Sequence, residues 1–391
     1  MTAAYLLDWL NLALRWAHVI TGIAWIGSSF YFIWLDQRLN VPPRDPESPG
    51  VAGDLWAVHG GGFYHAQKYQ VAPERLPEPL HWFKWEAYFT WITGFLLFGV
   101  VYYLNAGALL VDPAVLPQSE AAAIAASLLL LPAGWFLYDG LCRVGLGESL
   151  FLAVGLALLL ALCFGLTQLY TGRGAFLQAG VMLGTIMAAN VWRVIIPAQK
   201  ALVRAKERGD PPDAAFGLRA KQRSVHNNYL TLPVVFTMIS PHFALLYANR
   251  YNWLVLFLLF LAGAFVRHWF NLRNQGRSGL AWPLAGLAIG AAIAVAVVPR
   301  PASGSASFAE ANRVIQARCV ACHSAAPTHP TAPVAAAGVM LDTPREIGAW
   351  AARIHERAVL TRTMPLANLT GMSDAERALL GRWYAAGAPL D

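Results

Sequence analysis

Residues Ser149–Gly172 read SLFLAVGLALLLALCFGLTQLYTG, a run that contains no Asp, Glu, Lys or Arg. A helix of about 20 mainly apolar residues crosses the hydrocarbon core of a bilayer. Helix is the required form there, because lipid offers no hydrogen-bond partner to unpaired backbone groups. The run therefore predicts a transmembrane helix.

The chain up to residue 299 repeats this pattern. Hydrophobic residues make up 57% of the chain and charged residues 13%, a composition that a soluble protein of this length hardly sustains. Seven further runs have no charged residue: Trp16–Leu35, Ala87–Val111, Ala121–Tyr138, Gly174–Trp192, Ser224–Asn249, Tyr251–Val266 and Ser278–Pro299. Tyr251–Val266 is short, and we expect Arg267 to extend its charged head to the membrane surface. The pattern predicts an all-α fold, with an integral membrane bundle of eight transmembrane helices over residues 1–299.

The charges between the runs predict the orientation of the bundle. Basic residues are concentrated after the first, third, fifth and seventh runs, most densely in residues 200–208 and 219–223. The segment after the second run contains Asp112 and Glu120 but no Lys or Arg. Because basic loops stay in the cytoplasm, we expect both termini outside it and the loop 36–86 inside it. The net charge of +7 then reflects basic residues in the cytoplasmic loops, and it does not indicate a nucleic-acid partner.

The carboxy-terminal tail has a different character. We expect residues 300–306 to be a linker of small residues and residues 307–391 to form a separate domain. This domain contains Cys319-Val320-Ala321-Cys322-His323. Two thiols at this spacing can form thioether bonds to one haem, and the adjacent His is an axial ligand of the iron. The motif predicts one covalent haem c in a small, class I-like cytochrome c domain.

A second axial ligand is expected from one of three methionines, Met340, Met364 and Met372. Met364 precedes Pro365 in a loop, whereas Met372 precedes Ser373, the predicted N-cap of the last helix. We therefore predict Met364 as the partner of His323, and a thioether ligand raises the haem potential. Haem of this type is attached on the outer face of a bacterial inner membrane. The chain is thus predicted to be a multi-pass inner-membrane protein with its cytochrome domain in the periplasm.

An ionisable side chain inside a span costs free energy, so its presence there indicates a structural or functional role. Four histidines lie in or beside the uncharged runs: His18, His242, His226 and His268. Each is either a neutral histidine hydrogen-bonded between helices or a functional group. We hypothesise that His18 and His242 hold a non-covalent b-type haem, with Gly22 and Gly27 making room for it. His268 and His226 would be a second, inner pair.

The segment His59-Gly60-Gly61-Gly62-Phe63-Tyr64-His65, followed by Lys68, is rich in His and aromatic residues where a linker would be Ser and Glu. It is either an ordinary solvated loop or a cover over a ligand site.

These features together resemble the PuuD family of membrane-bound, cytochrome c-linked urate hydroxylases. The resemblance rests on His18–Gly27, His59–His65, Asn190–Arg193, Arg223–Tyr229 and the haem motif, and it covers essentially the whole chain. It implies oxidation of urate to 5-hydroxyisourate in purine catabolism, with water as the oxygen source. It also implies that electrons pass to the chain's own cytochrome c and then to a soluble cytochrome or a terminal oxidase. The first run alone also resembles the first helix of HemJ-type protoporphyrinogen oxidases.

Urate is flat and largely anionic, so a site for it needs aromatic faces, amide groups and one cation. Attack of water on the oxidised ring is helped by a general base, for which His is suited. The candidates on the cytoplasmic side are Arg193, His226, Asn227, Asn228, His268, Asn271, His65 and Lys68. Two other functions stay open: a quinol- or quinone-linked membrane cytochrome, and a non-catalytic anchor that conducts electrons for a separate dehydrogenase.

Overall fold

The structure is a computed structural model that describes residues 3–40, 50–277, 279–298, 304–329, 332 and 334–391. Most of the predicted linker, residues 300–303, lies outside the described residues. The described chain is mostly helical. Its amino-terminal part contains these α-helices: α1 (Ala3–Arg38), α2 (Trp85–Phe98), α3 (Ala106–Leu109), α4 (Glu120–Arg143), α5 (Glu148–Leu169), α6 (Gly172–Asn190), α7 (Ile196–Glu207), α8 (Ala214–Ile239), α9 (Ala244–Tyr247), α10 (Asn252–Asn274) and α11 (Ala281–Ala296).

The described residues of this part also include two π-helical turns and one 3₁₀ turn. The π-helical turn Gly99–Tyr103 continues α2, a second one at Val191–Ile195 joins α6 to α7, and the 3₁₀ turn Ser240–His242 follows α8.

Among the residues that the structure describes, five helices are long and apolar enough to cross a membrane, so the chain is a membrane protein. They are Tyr5–Arg38, Glu120–Arg143, Glu148–Leu169, Gly172–Glu207 and Asn252–Asn274. The predicted runs Ala87–Val111, Ser224–Asn249 and Ser278–Pro299 also fall mainly on helix. Their helices are short, as in α2 and α11, or carry charged residues in their first half, as in α8. Eight spans therefore remain a prediction.

The prediction of an all-α fold is wrong for residues 51–69, which form an antiparallel β-hairpin. Strands β1 (Val51–His59) and β2 (Gly62–Tyr69) pair in a register that sets Trp56 opposite His65 and His59 opposite Gly62. The turn residues Gly60 and Gly61 have φ values of 58° and 79°. A two-residue hairpin turn with positive φ at both positions favours glycine.

Helix α6 lies at the centre of the bundle, between α4, α5 and α8. A side chain at Gly180 would overlap the hydroxyl of Thr237 on α8. Glycine at this position thus lets the backbones of α6 and α8 approach closely. This close approach brings Asn190, at the end of α6, to Asn227 of α8.

Three consecutive residues of α8, His226, Asn227 and Asn228, are directed at three different neighbours. Successive side chains on an α-helix are rotated by about 100°. His226 faces Tyr138 of α4, Asn227 faces α6, and Asn228 faces α10. The polar side chains at this level of α8 therefore belong to separate groups on different sides of the helix.

The tail packs three helices around Trp383: α12 (Phe308–Arg318), α13 (Pro344–Ile354) and α14 (Asp374–Ala385). Each begins with a capping box, whose N-cap side chains belong to Ser307, Thr343 and Ser373. Between and after them lie the turns Ala336–Gly338, His355–Leu360 and Leu366–Asn368. The last of these turns contacts α3.

Candidate functional site

A group of polar side chains joins α8 to α10. Arg267 Nε donates to Asn228 Oδ1 at 2.9 Å, and Asn271 Nδ2 donates to the same oxygen at 3.1 Å. The guanidinium of Arg267 lies 3.8 Å from the centre of the Phe30 ring of α1. Arg267 is 4% exposed. The expectation that its side chain extends to the membrane surface is therefore wrong.

Each member of this group keeps an unused hydrogen-bonding atom. Arg267 Nη2, Asn228 Nδ2 and Asn271 Oδ1 are buried and have no partner among the described residues. A buried polar atom without a partner costs about 1–3 kcal/mol. Asn228 and Asn271 line a cavity, so one donor and one acceptor are available to a ligand that carries both a carbonyl oxygen and an N–H group.

A cavity of about 420 Å³ adjoins this group. We call it the α8–α10 cavity. Its walls come from α1, α8 and α10, and they include Asp36, Lys221, Asn228, Tyr229, His268 and Asn271. Small-molecule sites generally measure roughly 300–1,000 Å³. The cavity is therefore large enough for a purine-sized molecule.

His268 is paired with Tyr229 in the wall of this cavity. Its Nδ1 lies 2.6 Å from the Tyr229 hydroxyl, and the two rings stack with centroids 5.9 Å apart. The rings of Trp282 and His268 meet edge to face, with centroids 4.6 Å apart. When Nδ1–H donates to the tyrosine oxygen, Nε2 carries the lone pair that a general base needs.

The hairpin reaches the same cavity through Asp36 at the end of α1. The ammonium of Lys68 on β2 contacts one carboxylate oxygen of Asp36, and Lys221 of α8 lies 3.1 Å from the other. Burial, together with the charge of Lys221, lowers the pKa of Lys68. His65 lies elsewhere on the hairpin, where it bonds to Asp54 at 2.7 Å and stacks on Trp56.

Residues 4–298 match the family model described as urate oxidase, N-terminal. The chain belongs to this family. No curated protein and no solved structure matches the chain. The match covers the bundle, the hairpin and the α8–α10 cavity, and it ends before the tail. Membership of the urate oxidase N-terminal family indicates oxidation chemistry related to urate.

Within the family-matched region, the structure gathers only some of the residues predicted from the sequence. Asn228, His268 and Asn271 line one cavity, and Lys68 contacts its wall. His226 instead bonds to Tyr138 at 2.7 Å and stacks on Phe151.

Two further predicted residues also lie outside the α8–α10 cavity. Asn227 donates to the carbonyl of Met187 at 3.0 Å and accepts from Asn190. Arg193 is exposed beside Trp192. Sequence reasoning missed Tyr229 and the buried role of Arg267, although both stand next to predicted residues.

The environment of His18 fits an axial ligand of a haem. Its Nδ1 lies 3.0 Å from the carbonyl of Thr90, a contact that makes Nδ1 the protonated nitrogen and leaves Nε2 available. Metal-ligating histidines commonly donate their other N–H to a carbonyl in this way. Room for the imidazole ring comes from Gly94, where an added Cβ would lie 2.7 Å from His18 Cε1. The role of Gly22 and Gly27 in making room for a porphyrin stays a prediction. His242 is exposed on its 3₁₀ turn.

The tail fits a haem c at the predicted motif. Cys319, Cys322 and His323 lie half-buried after α12, and His323 Nδ1 is buried without a partner among the described residues. Burial raises the pKa of the Cys319 thiol to about 12.

The three methionines differ in their surroundings. Met372 is 3% exposed in the core of the tail, whereas Met340 is 38% exposed at the surface. Met364 is half-buried in its loop. Its backbone N–H donates to the carbonyl oxygen of Arg357, and its own carbonyl oxygen accepts from the guanidinium of Arg377 at 2.7 Å. Both main-chain groups of Met364 are thus held while its thioether remains free of the helical core.

Proposed function

We propose that the chain is a PuuD-type urate hydroxylase, which oxidises urate to 5-hydroxyisourate with water and passes the electrons to its own cytochrome c domain. The observation that carries this proposal is the α8–α10 cavity. It combines an unused buried donor on Asn228 and an unused buried acceptor on Asn271 with a His–Tyr pair, in a chain of the urate oxidase N-terminal family.

The polar groups and rings around this cavity match the charge and the hydrogen-bonding groups of urate. Arg267 supplies positive charge behind Asn228, which suits an anion in a poorly hydrated site. Asn228 Nδ2 can donate to a urate oxygen, and Asn271 Oδ1 can accept from a urate N–H. The rings of Tyr229 and His268 offer flat faces to the purine.

The oxidation balances with water as the oxygen source. The urate monoanion plus one water gives 5-hydroxyisourate, one proton and two electrons. The new bond joins the water oxygen to a ring carbon, and His268 Nε2 takes the proton that the water loses. Tyr229 holds the imidazole in the required tautomer. A haem c on Cys319 and Cys322, with His323 and Met364 as axial ligands, supplies one-electron redox chemistry in the tail.

We further propose an arrangement of eight spans with both termini outside the cytoplasm, in a bacterial inner membrane. Residues 1–299 are the urate-oxidising domain, 300–306 the linker and 307–391 the periplasmic cytochrome domain. A cytoplasmic cavity and a periplasmic haem are separated by a hydrocarbon core of about 30 Å. For this reason we retain a b-type haem as an intermediate carrier, with His18 as a ligand. His242 remains the predicted partner of His18.

Anaerobic mixing of urate with the oxidised, purified chain is expected to reduce its haem, because water and not molecular oxygen supplies the oxygen atom. The measurement is the absorbance of the reduced haem after addition of urate, with xanthine as the control purine. A haem that stays oxidised would contradict the proposed activity. It would favour a chain that only conducts electrons for a separate dehydrogenase. Stoichiometric hydrogen peroxide in air would show that oxygen is the oxidant.

Replacing Met364 with Ala is expected to lower the reduction potential of the haem c, because a thioether ligand stabilises the reduced iron. Redox titration of the visible spectrum measures the change. Met340→Ala is the matched control, since Met340 lies at the surface, and it should leave the potential unchanged. A shift in the Met340 variant alone would assign the ligand to Met340.

A further inference from the structure

A second cavity, of about 440 Å³, lies on a different side of α8 from the proposed urate site. We call it the α1–α7 cavity, because α1 and the turn that leads into α7 form two of its walls. The segment before α2 and the α8 residues Ser224 and Asn227 close it. The two cavities share α1 and α8 but no lining residue. The proposed function makes no use of the α1–α7 cavity.

Aromatic rings form much of its wall. Phe32 of α1 and Phe83 meet edge to face, with centroids 4.7 Å apart. Trp25 and Trp82 pack beside the buried residues Ala87, Val191 and Ile196. Since these rings are held by their neighbours, the cavity offers fixed aromatic faces to a flat ligand.

The polar groups of the wall exclude an anion and suit a neutral molecule. Glu86 is the one residue of the described lining that carries a full charge, and the lining contains no Lys or Arg. Ser29, Ser224 and Gln199 also line it, and the described chain supplies no hydrogen-bond partner for their side chains. The α8–α10 cavity differs in charge, because it has Lys221 beside Asp36 in its wall and Arg267 bonded to Asn228, whereas Glu86 has no Lys or Arg beside it in the α1–α7 lining.

We propose that the α1–α7 cavity binds a neutral, flat ring with oxygen atoms on its rim, namely the head group of a membrane quinone. The hydroxyl and amide groups of Ser29, Ser224 and Gln199 can donate to quinone oxygens. Leu80 and Phe83 of the wall are themselves well exposed and lie just before the predicted span that begins at Ala87, so they leave an apolar exit for a hydrocarbon tail at the membrane surface. Because the two cavities share no lining residue, we expect this site to bind its ligand whether or not urate is present.

Titration of the full-length, detergent-solubilised chain with a decyl-tailed benzoquinone tests this proposal. Saturable quenching of tryptophan fluorescence is expected, because Trp25 and Trp82 line the cavity. Ser29→Phe fills the cavity and should weaken binding by at least about tenfold. Ser149→Phe makes the same change at an exposed position of α5 and should leave binding unchanged.

Other outcomes would overturn the assignment. Quenching that never saturates means that the quinone partitions into the micelle, and equal affinity in the two Phe variants excludes this cavity.

If Ser29→Phe fails to fold, Gln199→Leu serves in its place, because it removes a hydrogen-bond donor at an exposed position. Competition by urate would identify the cavity as the urate site. Binding of caffeine, a neutral flat purine, without binding of the benzoquinone would exclude a quinone. Urate-dependent haem reduction, measured separately, tests the proposed function independently.

Discussion

Replacing His268 with Gln is expected to slow the urate-dependent reduction of the haem by about 10²–10⁴-fold, the usual contribution of a general base. Glutamine keeps a polar side chain beside Tyr229 but cannot accept and release the proton of water. Stopped-flow absorbance after anaerobic mixing with urate measures the rate. Reduction by dithionite measures the haem content of the same sample, so that loss of haem is not mistaken for loss of catalysis.

The matched control is His226→Gln, which changes a second histidine of the bundle. His226 bonds to Tyr138 on the α4 side of α8 and does not line the α8–α10 cavity. We expect this variant to lose far less than the His268 variant. If the His226 variant suffers the larger loss, the catalytic base lies between α4 and α8, and the proposed urate cavity is wrong.

Replacing both Cys319 and Cys322 with Ala is expected to abolish covalent haem, because both thioether bonds are lost. Haem staining of a denaturing gel measures the bound haem directly. The Cys142→Ala, Cys163→Ala variant removes the other two thiols and should stain like the unmodified chain. A stained band in the Cys319, Cys322 variant would show that the haem is attached elsewhere.

The same variant separates the two proposed haems. Any haem that remains in it is non-covalent and is extracted by acidified acetone. A further His18→Ala substitution should remove that haem if His18 is its ligand. Extraction of no haem from the active chain would exclude a b-type carrier and favour electron transfer by another route.

Much of the bundle could be predicted from the sequence because lipid requires uncharged helical runs, and a missing charge is visible without any tertiary information. The hairpin was missed for a different reason. Gly60 and Gly61 between alternating residues are a turn signal, but the His and aromatic content of the segment fits a ligand loop equally well. The sequence alone therefore does not distinguish a hairpin from such a loop.

The site was predicted less well, because its geometry depends on contacts between distant parts of the chain. The end of an uncharged run suggests that Arg267 reaches water, and only the fold brings Phe30 and Asn228 around it. Likewise, Asn227 and Asn228 look equivalent in the sequence but face different helices. The pairing of Tyr229 with His268 lacks a local signal, since it joins α8 to α10.

The shared carboxylate of Asp36 makes the hairpin sensitive to ionic strength. Lys68 is 45% exposed in its pair with Asp36, so dissolved ions screen the attraction that holds β2 at the cavity wall. The bond between Arg267 and Asn228 is buried and largely escapes such screening. Added salt should therefore loosen the rim of the cavity while its interior stays intact, and access to the cavity becomes a property that the surrounding electrolyte controls.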